Sequence, residues 1–382
     1  MQIIVDINEE VNVGELRKAI TFVSEDILSY DIGENSIILD VKDDADKNEI
    51  EESFRNVIKK YKKVNKSVKD KVLFVNNRNE QRYFENILDN EESFLNMGDG
   101  LVQLRGKALF LYDFFDNDFL NIGIDMGAVI KRYPILLPIE EYRKTGYLHN
   151  SPQYAIFCSS LHENFNELEM LESYIDKNDT KELMNNPNLA LSPAACFHAY
   201  FEVKNQTLEG NCMVTLINDV FRNEGRLNYS EVGRLKDFHV REIVFFGDKD
   251  YVTENRNKCI EIVENRLKLW GLESNIEVAS DAFVMPKMQK FKMIQMLEKS
   301  KYEINMNLTK DKAISVGSFN FHGTAFTSPF NIKIKGCELP VTGCVGFGIE
   351  RWVIAFLSQY GFDENNWPQA IRDSFLASRG YV

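Results

Sequence analysis

Hydrophobic and polar residues follow two different patterns along the chain, which divide it into a short first part and a longer second part. In the first part, strands are predicted for the short apolar runs IIVDI and SIILDV. Apolar residues recur at helical spacing in VGELRKAITFVSEDI and NEIEESFRNVIKKYKK. This alternation of strands and helices predicts a small α/β accessory domain, which we place at residues 1–75.

The second part, residues 76–382, contains segments of strand character that follow one another closely. These segments are FHAYFEV, MVTLIND, HVREIVFFG, YEINMNL, FNIKI and LPVTGCV. Helices are predicted near Leu109 to Arg132, near Thr253 to Leu269, and after Gly348, where the apolar residues form one stripe. Strands with few helices between them favour a mainly antiparallel sheet, so the predicted fold class is α+β.

The composition is that of a soluble globular protein. Of the 382 residues, 44% are hydrophobic and 27% are charged. No apolar run approaches the roughly 20 residues of a membrane helix, and the start MQIIVDINEE lacks the features of a signal peptide. The six cysteines are scattered without a CxxC pair, which is typical of a reducing compartment. We therefore expect a cytoplasmic protein that does not act at a membrane.

The charge is unevenly distributed. A net charge of −13 argues against broad nucleic-acid binding, which depends on neutralising phosphates with Lys and Arg. The stretch from Arg55 to Lys71 differs, because it holds eight basic residues and one acidic residue. Two interpretations of this stretch stay open. It is either a solvated helix end with a polar linker, or a docking patch for an acidic partner.

Several common catalytic motifs are absent from the chain. The glycines of CVGFGIERW are spaced Gly343-x-x-Gly346-x-Gly348, which does not fit the dinucleotide pattern G-x-G-x-x-G. No G-x-x-x-x-G-K-[ST] phosphate loop and no G-x-S-x-G nucleophile turn occurs. His162 and Glu163 begin a zinc-protease pattern, but Asn166 stands where the second histidine would be needed. Any nucleotide site in this protein would have to use other chemistry.

Three separated segments carry residues suited to such a site. The first, residues 221–247, opens with FRNE, passes through a glycine-bearing loop and returns as RLKDFHVRE. The second is GFGIER at residues 346–351, and the third is LPIEEYRKTGYLHNSP, which contains Pro138. In this order and spacing they resemble the signature motifs of class II aminoacyl-tRNA synthetases. The resemblance implies an antiparallel sheet flanked by helices, a class II catalytic domain at residues 76–382, and a homodimer formed around Pro138.

The resemblance also implies an ATP site. Negative charge builds up on the α-phosphorus when an amino-acid carboxylate attacks it, and an arginine fork suits that charge. Arg222 would hold the α-phosphate and the substrate carboxylate, and Arg351 would hold the γ-phosphate. Phe238 would stack on adenine, with Glu224 near its edge. The predicted ATP-binding set, which acts with Mg²⁺, is Arg222, Glu224, Arg234, Phe238, Glu350 and Arg351, with Arg222 and Arg351 as the catalytic residues.

A further set of residues resembles a metal site. Methanogen-type seryl-tRNA synthetases, and the amino acid:[carrier protein] ligases related to their catalytic core, bind zinc through a Cys, a Glu and a Cys. Cys196, Glu242 and Cys344 match those three places. Spacing alone favours buried structural residues, because buried free cysteines are common. By resemblance, they hold a zinc ion whose open position takes the substrate amino group. The remaining cysteines are interpreted as structural: Cys158, Cys212, Cys259 and Cys337.

Within this superfamily, the details favour the carrier-protein ligases. The segments YRKTGYLHNSPQY, SFNFHG and CVGFGIERWVIAFLSQYG are similar to signatures of these enzymes, and the resemblance covers about residues 98 to 370. It implies that a small amino acid is activated as an aminoacyl-adenylate and transferred to the phosphopantetheine thiol of an acidic acyl or peptidyl carrier protein, not to tRNA. Asn320 and Arg222 would lie at the amino-acid pocket.

Two alternatives remain open at this point. The first is a zinc-dependent seryl-tRNA synthetase that uses the stretch from Arg55 to Lys71 as its RNA contact. The second is a catalytically silent paralogue that binds amino acids or scaffolds a complex. The sequence does not identify the amino acid, because a zinc ion that binds only the amine leaves side-chain selection to the pocket walls.

Overall fold

A computed structural model describes residues 1–8, 11–61, 71–78, 82–177, 179–281, 283–378 and 381. The strands in these ranges are β1 (Gln2–Asp6), β2 (Ile27–Ile32), β3 (Ser36–Val41), β4 (Val72–Asn76), β5 (Phe94–Gly98), β6 (Leu101–Leu104), β7 (Val129–Ile130), β8 (Leu136–Pro138), β9 (Ile156–Cys158), β10 (Leu189–Leu191), β11 (Thr207–Leu208), β12 (Cys212–Phe221), β13 (Asp237–Gly247), β14 (Ser274–Val278), β15 (Lys301–Asn307), β16 (Ala313–Gly323), β17 (Lys333–Ile334) and β18 (Val341–Gly348). The α-helices are α1 (Val13–Ile20), α2 (Lys47–Ile58), α3 (Gly106–Asp125), α4 (Ile139–Lys144), α5 (Tyr147–Asn150), α6 (Phe165–Asp176), α7 (Phe197–Glu202), α8 (Lys249–Leu269), α9 (Gln289–Glu298), α10 (Ile349–Tyr360) and α11 (Gln369–Ala377).

Residues 1–61, the N-terminal unit, form an antiparallel sheet in the order β1-β3-β2 with helices α1 and α2. The alternating pattern of β3 buries Ile37, Leu39 and Val41, because every second side chain of a strand points to the same face. Ile50 and Phe54 of α2 join the same core. The predicted strands and helices of this segment are present, while β2 was not predicted because most of its residues are not buried.

The predicted basic stretch is described only in part, since residues 62–70 lie outside the described ranges. Of its described members, Arg55 pairs with Glu51 at 2.8 Å and Lys71 pairs with Glu277 at 2.9 Å. Strand β4 follows directly and hydrogen-bonds to β14 of the large sheet, so residues 72–75 join that sheet. The division of the chain between residues 75 and 76 remains a prediction.

Within the described residues, eight strands form the central sheet in the order β4-β14-β15-β16-β18-β13-β12-β7. Every neighbouring pair is antiparallel except β12 and β7. The predicted α+β class with a mainly antiparallel sheet is therefore confirmed. Along the described part of the chain, no helix combines the length and the apolar character that crossing a membrane requires.

Helices α3, α8 and α10 cover one face of the central sheet and carry much of its aromatic core. Phe119 of α3 stacks on Phe347 of β18 with ring centroids 4.1 Å apart, and Trp352 of α10 contacts both rings. Because successive strand residues point to opposite faces, Val345 and Phe347 enter this core while Cys344 belongs to the cluster on the other face. The face opposite the three helices is therefore the one that can carry polar chemistry.

Two predicted strands are wrong. FHAYFEV forms helix α7, in which the consecutive residues Phe197, His198, Ala199 and Tyr200 are all buried. The aromatic composition of this segment favoured a strand. Burial of consecutive side chains instead suits a short helix that is enclosed on several sides. Such a helix forms its backbone hydrogen bonds within itself. FNIKI contributes only the two residues of β17, which pair with β11 outside the central sheet.

Candidate active site

A cavity of about 500 Å³ opens over the sheet face opposite the three helices. The strand register determines which side chains form its floor, because residues opposite each other on neighbouring strands share a face. Asn320 of β16 lies opposite both Cys344 of β18 and Lys301 of β15. One row further along, Gly346 of β18 lies between Glu242 of β13 and Ser318 of β16. Positions far apart in the chain therefore meet in one polar surface.

Eight of the ten predicted site residues line this cavity: Cys196, Arg222, Glu224, Arg234, Glu242, Asn320, Cys344 and Arg351. Phe238 lies beside them, with its ring centroid 5.4 Å from the guanidinium carbon of Arg222 and 5.9 Å from that of Arg351. Glu350 does not line the cavity. Its carboxylate accepts hydrogen bonds from the backbone N–H of His239 at 2.9 Å and from its ring Nδ1 at 2.6 Å. The structure thus places Glu350 in a contact between α10 and β13.

Cys196, Glu242 and Cys344 form a compact cluster at one end of the cavity. Their candidate ligand atoms all lie within 4.8 Å of one another, and all three residues are buried. They come from separate elements, since Cys196 precedes α7, Glu242 lies on β13 and Cys344 lies on β18. Among the described residues, Oε2 of Glu242 has no hydrogen-bond partner although it is buried.

The electrostatics of this cluster fit a bound cation. Burial raises the pKa of Glu242 well above its usual range, and negative charge on Cys344 would raise it further. The hydrogen bond between the two thiols raises the pKa of Cys196 and lowers that of Cys344. Three acidic groups buried together cannot all ionise without a compensating charge. A divalent cation would supply that charge and would accept the free carboxylate oxygen of Glu242.

Two further side chains surround Cys344. Nδ2 of Asn320 donates to Sγ of Cys344 at 3.4 Å and to Oγ of Ser318 at 3.0 Å. Nε2 of His322 lies 3.6 Å from the same sulfur, and its Nδ1 lies 3.2 Å from Oγ1 of Thr342. His322 belongs to no catalytic or metal-binding motif that the sequence shows. The segment SFNFHG nevertheless contained a signal, because residues two apart on a strand share a face.

Arg222 follows β12 directly and is held rigidly. Its Nε donates to the carbonyl oxygen of Pro193 at 2.9 Å. Its guanidinium lies between the rings of Tyr154 and Phe238, with 5.4 Å from its central carbon to each ring centroid. One N–H is used to fix the group, so the remaining N–H groups can bind an anion.

Arg351, in the first turn of α10, is fixed in a similar way by the carbonyls of Gly233 at 2.9 Å and Ser315 at 3.1 Å. Burial, together with the nearby positive charges of Arg234 and Arg222, lowers its pKa to about 10. The carboxylates of the β12–β13 loop pair with Arg234 instead. Arg351 therefore keeps a positive charge inside the cavity that a bound anion would neutralise.

Lys301 and Asp281 form an ion pair in the same cavity that the sequence did not predict. Nζ of Lys301 lies 2.9 Å from Oδ1 of Asp281 and 3.2 Å from Oε1 of Glu303, while Nε2 of Gln295 donates to Oδ2 of Asp281 at 2.8 Å. Burial raises the pKa of Asp281, but Lys301 and Gln295 hold it at about 2. The pair lies one strand beyond Asn320, because Lys301 of β15 is opposite Asn320 of β16. No local motif marks it.

Residues 180–360 match the family model of the tRNA synthetase class II core domain (G, H, P, S and T). This part of the chain is a class II aminoacyl-tRNA synthetase core. The chain is 32% identical over 257 residues to a type-2 serine–tRNA ligase of Methanococcus aeolicus, covering 63% of this chain and 49% of that protein. It is 27% identical over 253 residues to amino acid–[acyl-carrier-protein] ligase 1 of Bradyrhizobium diazoefficiens, covering 65% of this chain and 77% of that protein.

The class II core also has the expected fold. A solved structure of M. kandleri SerRS in complex with A. aeolicus tRNASec superposes with a TM-score of 0.72 at 19% identity, covering 98% of this chain and 77% of that one. The predicted class II architecture is thereby confirmed. The chain spans about half the length of the type-2 serine–tRNA ligases that it matches. All ten predicted site residues lie within the class II core, whereas the N-terminal unit lies outside it.

Proposed function

We propose that the protein uses ATP to activate a small amino acid as its adenylate and then transfers the aminoacyl group to the phosphopantetheine thiol of an acidic carrier protein. One observation carries this proposal: Arg222 and the Cys196–Glu242–Cys344 cluster line the same cavity in a class II core. An α-amino acid has a carboxylate and an amine close together. A cavity with an anion-binding fork next to a metal-binding cluster is suited to hold both groups.

The metal that best suits the cluster is zinc, because zinc binds both thiolate sulfur and carboxylate oxygen and its catalytic sites use three protein ligands. Cys196, Glu242 and Cys344 would hold the ion, which supplies a Lewis-acidic position for a free amine. Asn320 and His322 would keep the Cys344 sulfur in place through the contacts described above. The similarity to type-2 serine–tRNA ligases supports the same assignment.

In the first step, a carboxylate oxygen of the amino acid attacks the α-phosphorus of ATP. The new O–P bond forms as the bond to the β-phosphate oxygen breaks, and pyrophosphate leaves with that electron pair. Arg222 would bind the carboxylate and the α-phosphate, and because Pro193 fixes it, little reorganisation is needed as charge develops. Arg234 and Arg351 would bind the outer phosphates together with Mg²⁺, and Phe238 would stack on adenine next to Glu224.

In the second step, the phosphopantetheine thiol loses its proton to solvent and its sulfur attacks the carbonyl carbon of the adenylate. A C–S bond forms, the bond to the phosphate oxygen breaks, and AMP leaves. The relative named amino acid–[acyl-carrier-protein] ligase 1 and the segments that resemble such ligases support this acceptor. The runner-up function is transfer to tRNA, which is favoured by the 32% identity to a type-2 serine–tRNA ligase. The net charge of −13 speaks against that acceptor.

We further propose a homodimer formed around Pro138. Apolar side chains near the short edge strand β7 are exposed, including Ile124, Val129, Ile130 and Leu136. Exposed apolar groups at a sheet edge favour association with another chain.

Amino-acid-dependent ATP–pyrophosphate exchange tests the proposed activation step. We expect exchange with one or two small amino acids in zinc-loaded protein and its loss after chelation. The acceptor is then tested by offering the activated amino acid to holo carrier protein and to bulk tRNA in separate reactions. A mass gain on the carrier alone supports the ligase, while label on tRNA supports the runner-up. Absence of exchange with all twenty amino acids in folded, zinc-loaded protein contradicts the activation step itself.

Replacing Arg351 with Ala should weaken the use of ATP without removing the metal. The loss of a charge-assisted phosphate contact is expected to raise the KM for ATP about 10- to 100-fold, with zinc content unchanged. Arg266→Ala is the matched control, because Arg266 pairs with Asp118 away from the cavity. An unaltered KM for ATP in Arg351→Ala would contradict the assigned phosphate contact.

A further inference from the structure

The N-terminal unit contacts the β12–β13 loop (residues 222–236), which forms one wall of the cavity. A Cβ atom on Gly225 would lie 2.1 Å from Cγ2 of Thr21, and Gly225 has a φ of +89°. Only glycine suits such an approach. Nδ2 of Asn228 donates to the carbonyl oxygen of Lys18 at 3.2 Å, and Nη2 of Arg226 donates to that of Glu25 at 3.1 Å. Helix α1 and the turn after it therefore hold the outer side of this loop.

The same unit contacts a second wall, the β14–β15 connection that includes α9. The hydroxyl of Tyr61 donates to the carbonyl oxygen of Val284, and the Val284 side chain is buried in the core of the N-terminal unit. Lys292 of α9 forms an ion pair with Glu15 of α1. The N-terminal unit thus contacts two segments, and each of them contains residues that line the cavity.

Lys18 of α1 lines the cavity together with Arg234 and Arg351. Its ammonium pairs with Glu15 at 2.7 Å, but the same carboxylate also pairs with Lys292. Although burial raises the pKa of Glu15, the two ammonium groups hold it at about 2. One carboxylate cannot neutralise two ammonium groups, so Glu15, Lys18 and Lys292 together keep one positive charge. The side chain of Lys18 is 31% exposed and can exchange its partner.

We infer that the N-terminal unit is part of the nucleotide site and that Lys18 contacts the β- or γ-phosphate of bound ATP. The inference rests on the proposed ATP-dependent function. A lysine ammonium binds phosphate as a compact charge on a flexible stem. Arg351 and Arg234, which would bind the outer phosphates, share the cavity with it. The unit also holds the loop that carries Arg234, so nucleotide binding depends on residues outside the class II core.

The test is to measure ATP and AMP affinity by calorimetry on the full chain with Mg²⁺ present. For Lys18→Met we expect ATP to bind about tenfold more weakly, as loss of one charge-assisted contact predicts. AMP, which lacks the β- and γ-phosphates, should bind within about twofold of wild type. Equal ATP affinity in Lys18→Met and wild type would overturn the inference. Wild-type protein that binds neither nucleotide would instead overturn the proposed function.

Two further variants separate a phosphate contact from a bracing role. Glu15→Gln removes the same ion pair but keeps the Lys18 ammonium, so ATP should bind as in wild type or more tightly. Lys42→Met removes another ion-paired lysine of the N-terminal unit, which pairs with Asp26, and should leave both affinities unchanged. If Glu15→Gln reproduces the loss of ATP affinity, or if Lys18→Met weakens ATP and AMP equally, Lys18 acts only by bracing and the inference is wrong.

Discussion

Replacing Cys344 with Ala is expected to abolish the proposed zinc binding and the proposed amino-acid activation together. The cluster would keep only Cys196 and Glu242 as ligands, and catalytic zinc sites use three protein ligands. Zinc should fall from about one per chain to near zero. ATP–pyrophosphate exchange should fall by about 10³ or more, because the amine loses its binding position and the metal contributes several kcal/mol.

Metal analysis and exchange assays on the same purified protein check this result. Cys337→Ala is the matched control, since Cys337 is a free cysteine that does not line the cavity. It should keep both zinc and exchange. Circular dichroism should show that Cys344→Ala remains folded, because the residue replaced is small. Zinc that stays near wild-type content in Cys344→Ala would show that the metal is held elsewhere.

Replacing Arg222 with Gln is expected to stop adenylate formation while the metal remains bound. The guanidinium would neutralise charge that develops on the α-phosphorus, and loss of one such preorganised donor costs about 3–4 kcal/mol, or about 10²–10³ in kcat. Arg222→Lys should recover little of this rate. It restores the charge but not the planar fork that binds carboxylate and phosphate together.

Single-turnover formation of AMP or adenylate, followed with saturating ATP, separates this effect from weakened binding. Zinc content should match wild type in both Arg222 variants. Arg266→Ala serves again as the control for loss of an arginine remote from the cavity. If Arg222→Gln raises only the KM for the amino acid and leaves kcat intact, Arg222 binds substrate without stabilising the transition state.

The sequence predicted those parts of the site that depend on local pattern. Arg222 and Phe238 lie near the two ends of the loop between β12 and β13. The sequence shows both strands as apolar runs, and their antiparallel register brings the two residues together. Cys344 and Glu242 followed instead from the resemblance to zinc-binding relatives, because their spacing alone did not distinguish metal ligands from buried structural residues. The α10 stripe was equally clear from its helical spacing, and the structure buries all of its apolar residues together with Glu350, Ser358 and Gln359.

Other features depend on contacts that no local pattern encodes. Lys301 reaches Asp281 only because the β14–β15 connection folds back over β15. Lys18 reaches the cavity only because α1 packs on the β12–β13 loop. Glu350 lies next to Arg351 in the chain, but a helical turn directs neighbouring side chains to different sides. FHAYFEV was predicted as a strand because composition alone cannot distinguish a buried helical turn from a strand.

The contact between Asn228 and Lys18 joins positions 210 residues apart in the chain. Contacts of such separation form late in folding, because the entropy of closing a long loop must be offset before they contribute. The N-terminal unit can emerge and fold first during synthesis. The cavity can be completed only after the β12–β13 loop has been made and has packed against this unit. During refolding, recovery of the proposed ATP binding should therefore lag behind recovery of secondary structure.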